Sequence, residues 1–317
     1  MVALRPRTAS PEFPVTERDF TSILDVSSPE LHHLLDTALG MKRDGPSPVL
    51  QGQTLAMVFE KPSLRTRTSF EMAMRRLGGQ GLYLSGHEVQ MGEREPVRDV
   101  ARVLSRMVQA IAARTYAHHT VTELAKYADI PVVNALSDDE HPCQAVADLL
   151  TLRERFGSLT GLRIAYIGDG NNVGRSLAYA SVMTGAHLVI SGPEGYELDA
   201  DSMARALALP GGGSVTQVRD PHEAVHDVAA VYTDVWASMG QEHEVTRRAE
   251  AFRSYQVNAG LIASAPSDAL IMHDLPAHRG EEITDEVIES PRSIVWDQAE
   301  NRMHAQQAIL ALLLGGQ

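Results

Sequence analysis

Short apolar runs alternate along this chain with longer segments in which apolar positions recur every three or four residues. Strand-like runs separated by segments of helical period are the pattern of an α/β fold built on parallel sheets. The first unit reads as a helix over Ser28–Lys42, a strand over Thr54–Phe59 and a helix over Ser63–Leu77. Short strands follow at Gly81–Leu84, Ala110–Ala113 and Val132–Asn134, with helices at Pro96–Met107, Thr120–Ala128 and Pro142–Phe156. The stretch Gly157-Ser158-Leu159-Thr160-Gly161 then breaks the periodicity, as clustered turn-forming residues do between elements. Beyond it the pattern predicts strands at Arg163–Ile167, His187–Ser191, Ala230–Thr233 and Ala269–Met272. It also predicts a helix over about Val173–Met183 and a last helix over about Asn301–Leu314. The expectation is an α/β protein of two doubly wound parallel-sheet domains, joined by interdomain helices and meeting near residues 150–160.

Composition narrows the class. The 317 residues suffice for two domains, each of the usual size of about 100–200 residues. A hydrophobic share of 44% with 22% charged residues excludes wholesale disorder. No stretch approaches the roughly 20 apolar residues that cross a bilayer. The opening MVALRPRTASPEFP has no apolar signal-like core, so residues 1–12 are expected to be a flexible tail. A single cysteine, Cys143, leaves no intramolecular disulfide and no cysteine-rich zinc site, which points to the cytoplasm.

Charge narrows the partners. With 28 basic and 41 acidic side chains the net charge is −13, and nucleic acids and anionic membranes both reward clustered positive charge instead. Lysine occurs only at 42, 61 and 126, so the positive charge is mostly arginine, the side chain suited to planar recognition of phosphate or carboxylate. An acidic chain that binds a small anion must gather its arginines locally.

They gather at Phe59-Glu60-Lys61-Pro62-Ser63-Leu64-Arg65-Thr66-Arg67. A strand ends at Phe59, Pro62 breaks the chain and Ser63 begins a helix, which aims free N–H groups and the positive end of the helix dipole at one point. Arginines beside that positive end are unfavourable unless an anion offsets them. Further on, His141-Pro142-Cys143-Gln144 places a proline at a first helical position. His141 and Gln144 then lie near one helix start, and His141 reads equally as a cap, a satisfied core histidine or a catalytic group. The run from Ile167 to Gly174, IGDGNNVG, spaces its glycines one residue too far apart for a dinucleotide fingerprint. Asn172 there, and Asp234 after the strand at Ala230–Thr233, occupy the ligand edge of a parallel sheet; Asp234 reads equally as a turn acid. His273 and His278 have no companion residues at metal-ligand spacing, so no metal is expected.

Taken together these segments resemble the transcarbamylases, and within them the ornithine carbamoyltransferases. The family's S-T-R-T-R appears as Ser63-Leu64-Arg65-Thr66-Arg67, its H-P-x-Q as His141 to Gln144, and its D-x-x-x-S-M-G as Asp234 to Gly240. Its H-C-L-P appears as His273-Asp274-Leu275-Pro276 and its closing E-N-R-x-H as Glu300 to His304. The five motifs keep the family order and span residues 63–304.

The resemblance implies carbamoyl transfer from carbamoyl phosphate to the δ-amine of L-ornithine, giving citrulline and phosphate without metal or organic cofactor. It implies a carbamoyl-phosphate domain over residues 13–150, with the helix 301–317 packing back on it, and an ornithine domain over 151–300. By motif match, Ser63, Leu64, Arg65, Thr66 and Arg302 hold the phosphate. Arg114, His141 and Thr66 contact the carbonyl oxygen, Gln144 meets the carbamoyl nitrogen, and Asp274 and Leu275 lie beside the same group. Asn172, Asp234, Ser238 and Met239 match ornithine-contacting positions. Gln90 matches a position that reaches into a neighbouring subunit, which implies a homotrimer or a multiple of one.

Two residues depart from the pattern. Leu64 stands where threonine is usual, a change that costs a hydroxyl and keeps the backbone N–H. Asp274 stands where the ornithine enzymes have cysteine. A carboxylate there stabilises the protonated amine or takes its proton as a base, and these act in opposite directions. A transferase for a related amine (putrescine, lysine, an acylated ornithine) or a catalytically silent relative are the competing readings.

Overall fold

The computed structural model describes residues 18–237 and 242–315. Four strands form one sheet: β1 (Thr54–Phe59), β2 (Gln80–Ser85), β3 (Ala110–Arg114) and β4 (Val132–Leu136), in the order β2-β1-β3-β4. Five form a second: β5 (Arg163–Ile167), β6 (His187–Ser191), β7 (Ser214–Val218), β8 (Ala230–Thr233) and β9 (Leu270–His273), in the order β7-β6-β5-β8-β9. Every pairing is parallel. Parallel sheets need both faces covered, so their strands read as near-continuous apolar runs; all of β3 is buried.

Each sheet reverses its winding once. In the first, β1 and β3 are neighbours whose connections leave in opposite directions, and in the second β5 and β8 are. Such reversals open a crevice beyond the carboxyl ends of the strands, where ligands bind. The chain leaving β1 carries Ser63 to Thr66, Arg114 ends β3, Asn171 and Asn172 follow β5, and Asp234 follows β8. Residues from all four strand ends line one cleft.

Two helices bind the sheets together. Pro142–Phe156 starts with Pro142 in the first turn and buries most of its length. Val295–Leu314 packs against Ser28–Asp44, Leu64–Arg76 and Pro142–Phe156, and also touches β9. Most of it is buried, while Trp296 and Glu300 near its start are exposed. Among the described residues no helix is long and apolar enough to cross a membrane.

Several elements differ from the sequence reading, which had no counterpart for helices such as Ala200–Leu207 and Val245–Ala251. The last helix starts at Val295 and not near Asn301, because Val295 and Gln298 are already buried there. The strand β7 had no counterpart in the pattern: it is an edge strand in which only Val215 is fully buried, so it carries no apolar run. The helix expected over Pro96–Met107 spans Val97–Leu104, shorter at both ends. Gly170, part of the supposed dinucleotide motif, has a packing role instead. A Cβ on it would lie 2.1 Å from the backbone nitrogen of Leu198, so no other residue fits without moving that chain.

Candidate active site

The cleft has a volume of about 820 Å³ and is basic at one end and acidic at the other. The basic end begins at the start of Leu64–Arg76. Ser63 is its N-cap, in extended conformation, and its Oγ accepts the N–H of Thr66 at 3.3 Å. The first turn contains no acid, so its dipole is left for a ligand to satisfy. The Thr66 hydroxyl is fully buried and draws three donors: Ser63 Oγ at 3.0 Å, Arg302 Nη2 at 2.8 Å and Arg114 Nη1 at 3.4 Å.

Arg65, Arg114 and Arg302 thus meet without a hydrogen-bonded carboxylate among the described residues. Burial first, and then Arg302 and Arg65, push Arg114 down to about 10. Burial likewise lowers Arg302 and Arg65, although Asp274 opposes this in both. The Nε atoms of Arg114 and Arg302 are buried without a partner. Buried donors left unsatisfied cost about 1–3 kcal/mol each, more when charged, so an anion bound here would remove a standing strain.

His141 sits beside them, with 2% of its surface exposed. Its backbone N–H donates to Ser176 Oγ at 2.9 Å, and that hydroxyl donates to Glu140 at 3.0 Å. Burial, then Arg302, Arg114 and Arg65, hold the imidazole well below its usual range, so it is neutral at physiological pH. Its Nδ1 has no partner. Gln144, one turn on, lies just behind the cleft: its Oε1 accepts Arg302 Nη1 at 2.6 Å and its Nε2 donates to Asp148 at 2.7 Å.

At the acidic end Asp234 accepts Asn171 Nδ2 at 2.8 Å. Asn171 in turn caps Asn172–Met183, its Oδ1 accepting the N–H groups of Val173 and Gly174 at 2.9 and 3.1 Å. Asp274 follows β9 and is 7% exposed, with Oδ1 buried and lacking a hydrogen bond. Donor atoms of Asp234, His273 and Asp274 lie within 4.8 Å of one another. Burial and then Asp274 raise Asp234 well above the carboxylate range, while His273, Asp234 and Arg302 hold Asp274 below it despite burial. A metal ion would have to displace existing bonds here, since His273 Nδ1 accepts the Leu275 N–H at 2.9 Å and Nε2 faces Glu282 at 3.0 Å.

Of the residues singled out in the sequence, Ser63, Leu64, Arg65, Thr66, Arg114, His141, Asn172, Asp234, Asp274, Leu275 and Arg302 line this cleft. Asn172 turns its amide to the backbone oxygen of Ser137 at 2.7 Å, bridging the two sheets. Gln90 does not join them. It lines a separate hollow of about 300 Å³ with Glu60, His87 and Tyr116, in a left-handed conformation at φ 47°. Ser238 and Met239 lie outside the described residues. Several lining residues were missed by sequence reasoning. Arg248 is buried and bonds Asp169 at 2.6 Å and the Trp236 carbonyl at 3.0 Å; nothing in its local sequence marks it. Asn171, which lines the cleft, and Asp148, wholly buried behind it, had findable signals: Asp148 is four residues after Gln144 on a helix, hence on the same face, and Asn171 is a favoured N-cap type.

Residues 18–154 match the family model for the carbamoyl-P binding domain of aspartate/ornithine carbamoyltransferase, and residues 160–313 match its Asp/Orn binding domain. The chain is 52% identical over 305 residues to the ornithine carbamoyltransferase of Pyrococcus horikoshii, across 94% of this chain and 96% of that one. It is 54% identical over 302 residues to the ornithine carbamoyltransferase of Methanocorpusculum labreanum, across 94% and 98%. The solved structure of ornithine carbamoyltransferase from Pyrococcus furiosus superimposes with a TM-score of 0.89 at 50% identity, covering 95% of this chain and 98% of that one.

Proposed function

Because the chain belongs to the aspartate/ornithine carbamoyltransferase family along nearly its whole length, we propose that it transfers the carbamoyl group of carbamoyl phosphate to the δ-amine of L-ornithine, releasing citrulline and phosphate. The observation that carries this reading is the polarity of the cleft: three arginines converge on a helix start at one end, and two carboxylates face them at the other. A phosphate-bearing anion fits the first and a diamino acid cation fits the second. A dicarboxylic acceptor would meet Asp234 and Asp274, and the Arg248 guanidinium on that side is already paired with Asp169.

In this proposal Ser63, Leu64, Arg65 and Thr66 hold the phosphate with backbone and side-chain donors, and Arg302 closes over it. Arg114, His141 and the Thr66 hydroxyl take the carbonyl oxygen. Gln144 offers Oε1 to the carbamoyl N–H groups. Asn172, Asp234, Ser238 and Met239 hold the amino acid, with the δ-nitrogen near Asp274 and Leu275. Attack forms the new C–N bond and a tetrahedral carbon bearing an oxyanion. Collapse breaks the C–O bond to phosphate, and the amine nitrogen gives up a proton. Donors aimed at such an oxyanion contribute about 3–4 kcal/mol each in comparable enzymes. Neutral His141 suits that task as a hydrogen-bond donor, and holding both reactants in register adds roughly 7–11 kcal/mol. The arginines compensate the charge that grows on the leaving phosphate.

The proposed assembly is a homotrimer, or a multiple of one, in which Gln90 completes a neighbour's site; the expected compartment is the cytoplasm. Steady-state kinetics with carbamoyl phosphate and a panel of amines tests the acceptor. Ornithine is expected to give the highest kcat/KM. A higher value for putrescine, lysine or an acylated ornithine would reassign the acceptor, and binding of carbamoyl phosphate without turnover on any amine would overturn the proposal.

A further inference from the structure

Behind the cleft a file of buried side chains joins its two ends. Arg302 donates to Thr66 and to Gln144 Oε1, and Gln144 Nε2 donates to Asp148 Oδ1 at 2.7 Å. Gln298 Nε2 donates to the same oxygen at 2.7 Å, and Gln298 Oε1 accepts the backbone N–H of His273 at 2.9 Å. Gln144, Asp148 and Gln298 are wholly buried, so no water can substitute for a lost partner.

The direction of each bond is fixed by chemistry. A carboxamide can present either end, but a guanidinium and a backbone N–H only donate. Arg302 therefore dictates that Gln144 shows it oxygen, and the His273 amide dictates the same for Gln298. Both glutamines are then left with NH2 groups pointing at one place. Asp148 is the acceptor there, and no apolar or purely donating residue could replace it. The carbonyl of Gln144 has two lone pairs, of which Arg302 takes one.

We infer that Asp148 is a positioning residue for the transfer. By holding Gln144 Nε2 it fixes the plane of the carboxamide, and with it the direction of the second lone pair of Gln144 Oε1 that the proposed function gives to the carbamoyl N–H groups; through Gln298 it ties that plane to the loop that carries Asp274. It touches no substrate itself. The inference rests on the proposed role of Gln144 and gives that role a cause.

Three variants and one cycle test it. Asp148→Asn keeps an acceptor oxygen of the same reach, so its kcat stays within about fivefold of the parent. Asp148→Leu keeps the γ-branched shape and removes the acceptor, so kcat falls by roughly 100-fold, the scale of one lost transition-state hydrogen bond. In a Gln144→Ala background, Asp148→Leu lowers kcat by less than about threefold more, because residues acting through one another are not additive. Circular dichroism and gel filtration confirm folding. If Asp148→Leu does not fold, Gln298→Leu replaces it in the same cycle, with a smaller kcat loss that also vanishes when Gln144 is gone. Losses that multiply, an Asp148→Leu kcat near the parent's, or an Asp148→Asn variant as poor as Asp148→Leu would each overturn the inference. A parent protein that makes no citrulline would instead overturn the proposed function.

Discussion

Replacing Asp274 with asparagine removes one of two carboxylates pressed together at the acceptor end of the cleft. The donor atoms of Asp234 and Asp274 are no more than 4.8 Å apart. Two ionised carboxylates at that distance repel by about 3.5 kcal/mol at an effective dielectric of about 20, and about 1.4 kcal/mol is tenfold in an equilibrium constant. That repulsion, added to burial, raises Asp234. Protonated Asp234 cannot pair with an ammonium group, so kcat/KM for ornithine falls as pH drops through that titration. Asp274 also faces His273, Arg302, Arg65 and Arg114, which favour its charged form; the amide variant removes the repulsion and leaves Asp234 with its Asn171 donor. The acidic limb therefore moves to lower pH. The δ-amine must be neutral to attack, and a nearby carboxylate holds its proton, so in the variant the bound amine loses its proton at lower pH and the rising limb of kcat, which reports the bound state, moves the same way. The lost attraction for the substrate cation, about 4 kcal/mol at roughly 4 Å, nearly offsets the relieved repulsion, and the plateau changes by less than about tenfold. The assay is kcat and kcat/KM for ornithine from pH 5 to 10 at saturating carbamoyl phosphate. Each profile slides acidward by about one pH unit or more. Coincident profiles, or a slide toward alkali, would refute the reasoning.

Three further outcomes follow from the same geometry. Arg302→Met removes the link between Thr66 and Gln144, so KM for carbamoyl phosphate rises by about 100-fold or more, read by initial rates and by calorimetric titration; an unchanged KM would exclude Arg302 from the phosphate site. His141→Asn lowers kcat by roughly 100-fold. Because burial and the neighbouring arginines keep His141 neutral, the parent profile shows no limb from its ionisation near neutral pH, and the asparagine variant keeps the parent's profile. Burial pushes the Cys143 thiol up to about 12, so iodoacetamide leaves the native protein unmodified at pH 8 and alkylates it after denaturation, as intact mass shows; rapid native alkylation would contradict the buried placement.

The sequence carried these features unevenly. The strand Thr54–Phe59 was legible to the residue, because an apolar run bounded by a turn and a capping serine has one local solution. Pro142 marked its helix equally well. Edge strand β7 was invisible because pairing with β6, not a local apolar pattern, makes it a strand. Of the two adjacent asparagines, either could cap a helix by type; only the fold assigns that bond to Asn171 and sends Asn172 to Ser137. The partnership of Asp148 with Gln298 spans 150 residues, and the meeting of Asp234 with Asp274 depends on β8 and β9 being neighbours. Arg302 lies in the largely buried last helix, where periodicity gives no sign of function, and its motif alone marked it.

The most direct test of the account is citrulline formation by the purified protein from carbamoyl phosphate and L-ornithine, with phosphate release followed in the same reaction. Citrulline and phosphate should appear in equal amounts, at a rate that depends on both substrates and saturates with each. Phosphate release without citrulline, or neither product at any pH between 6 and 10, would contradict it.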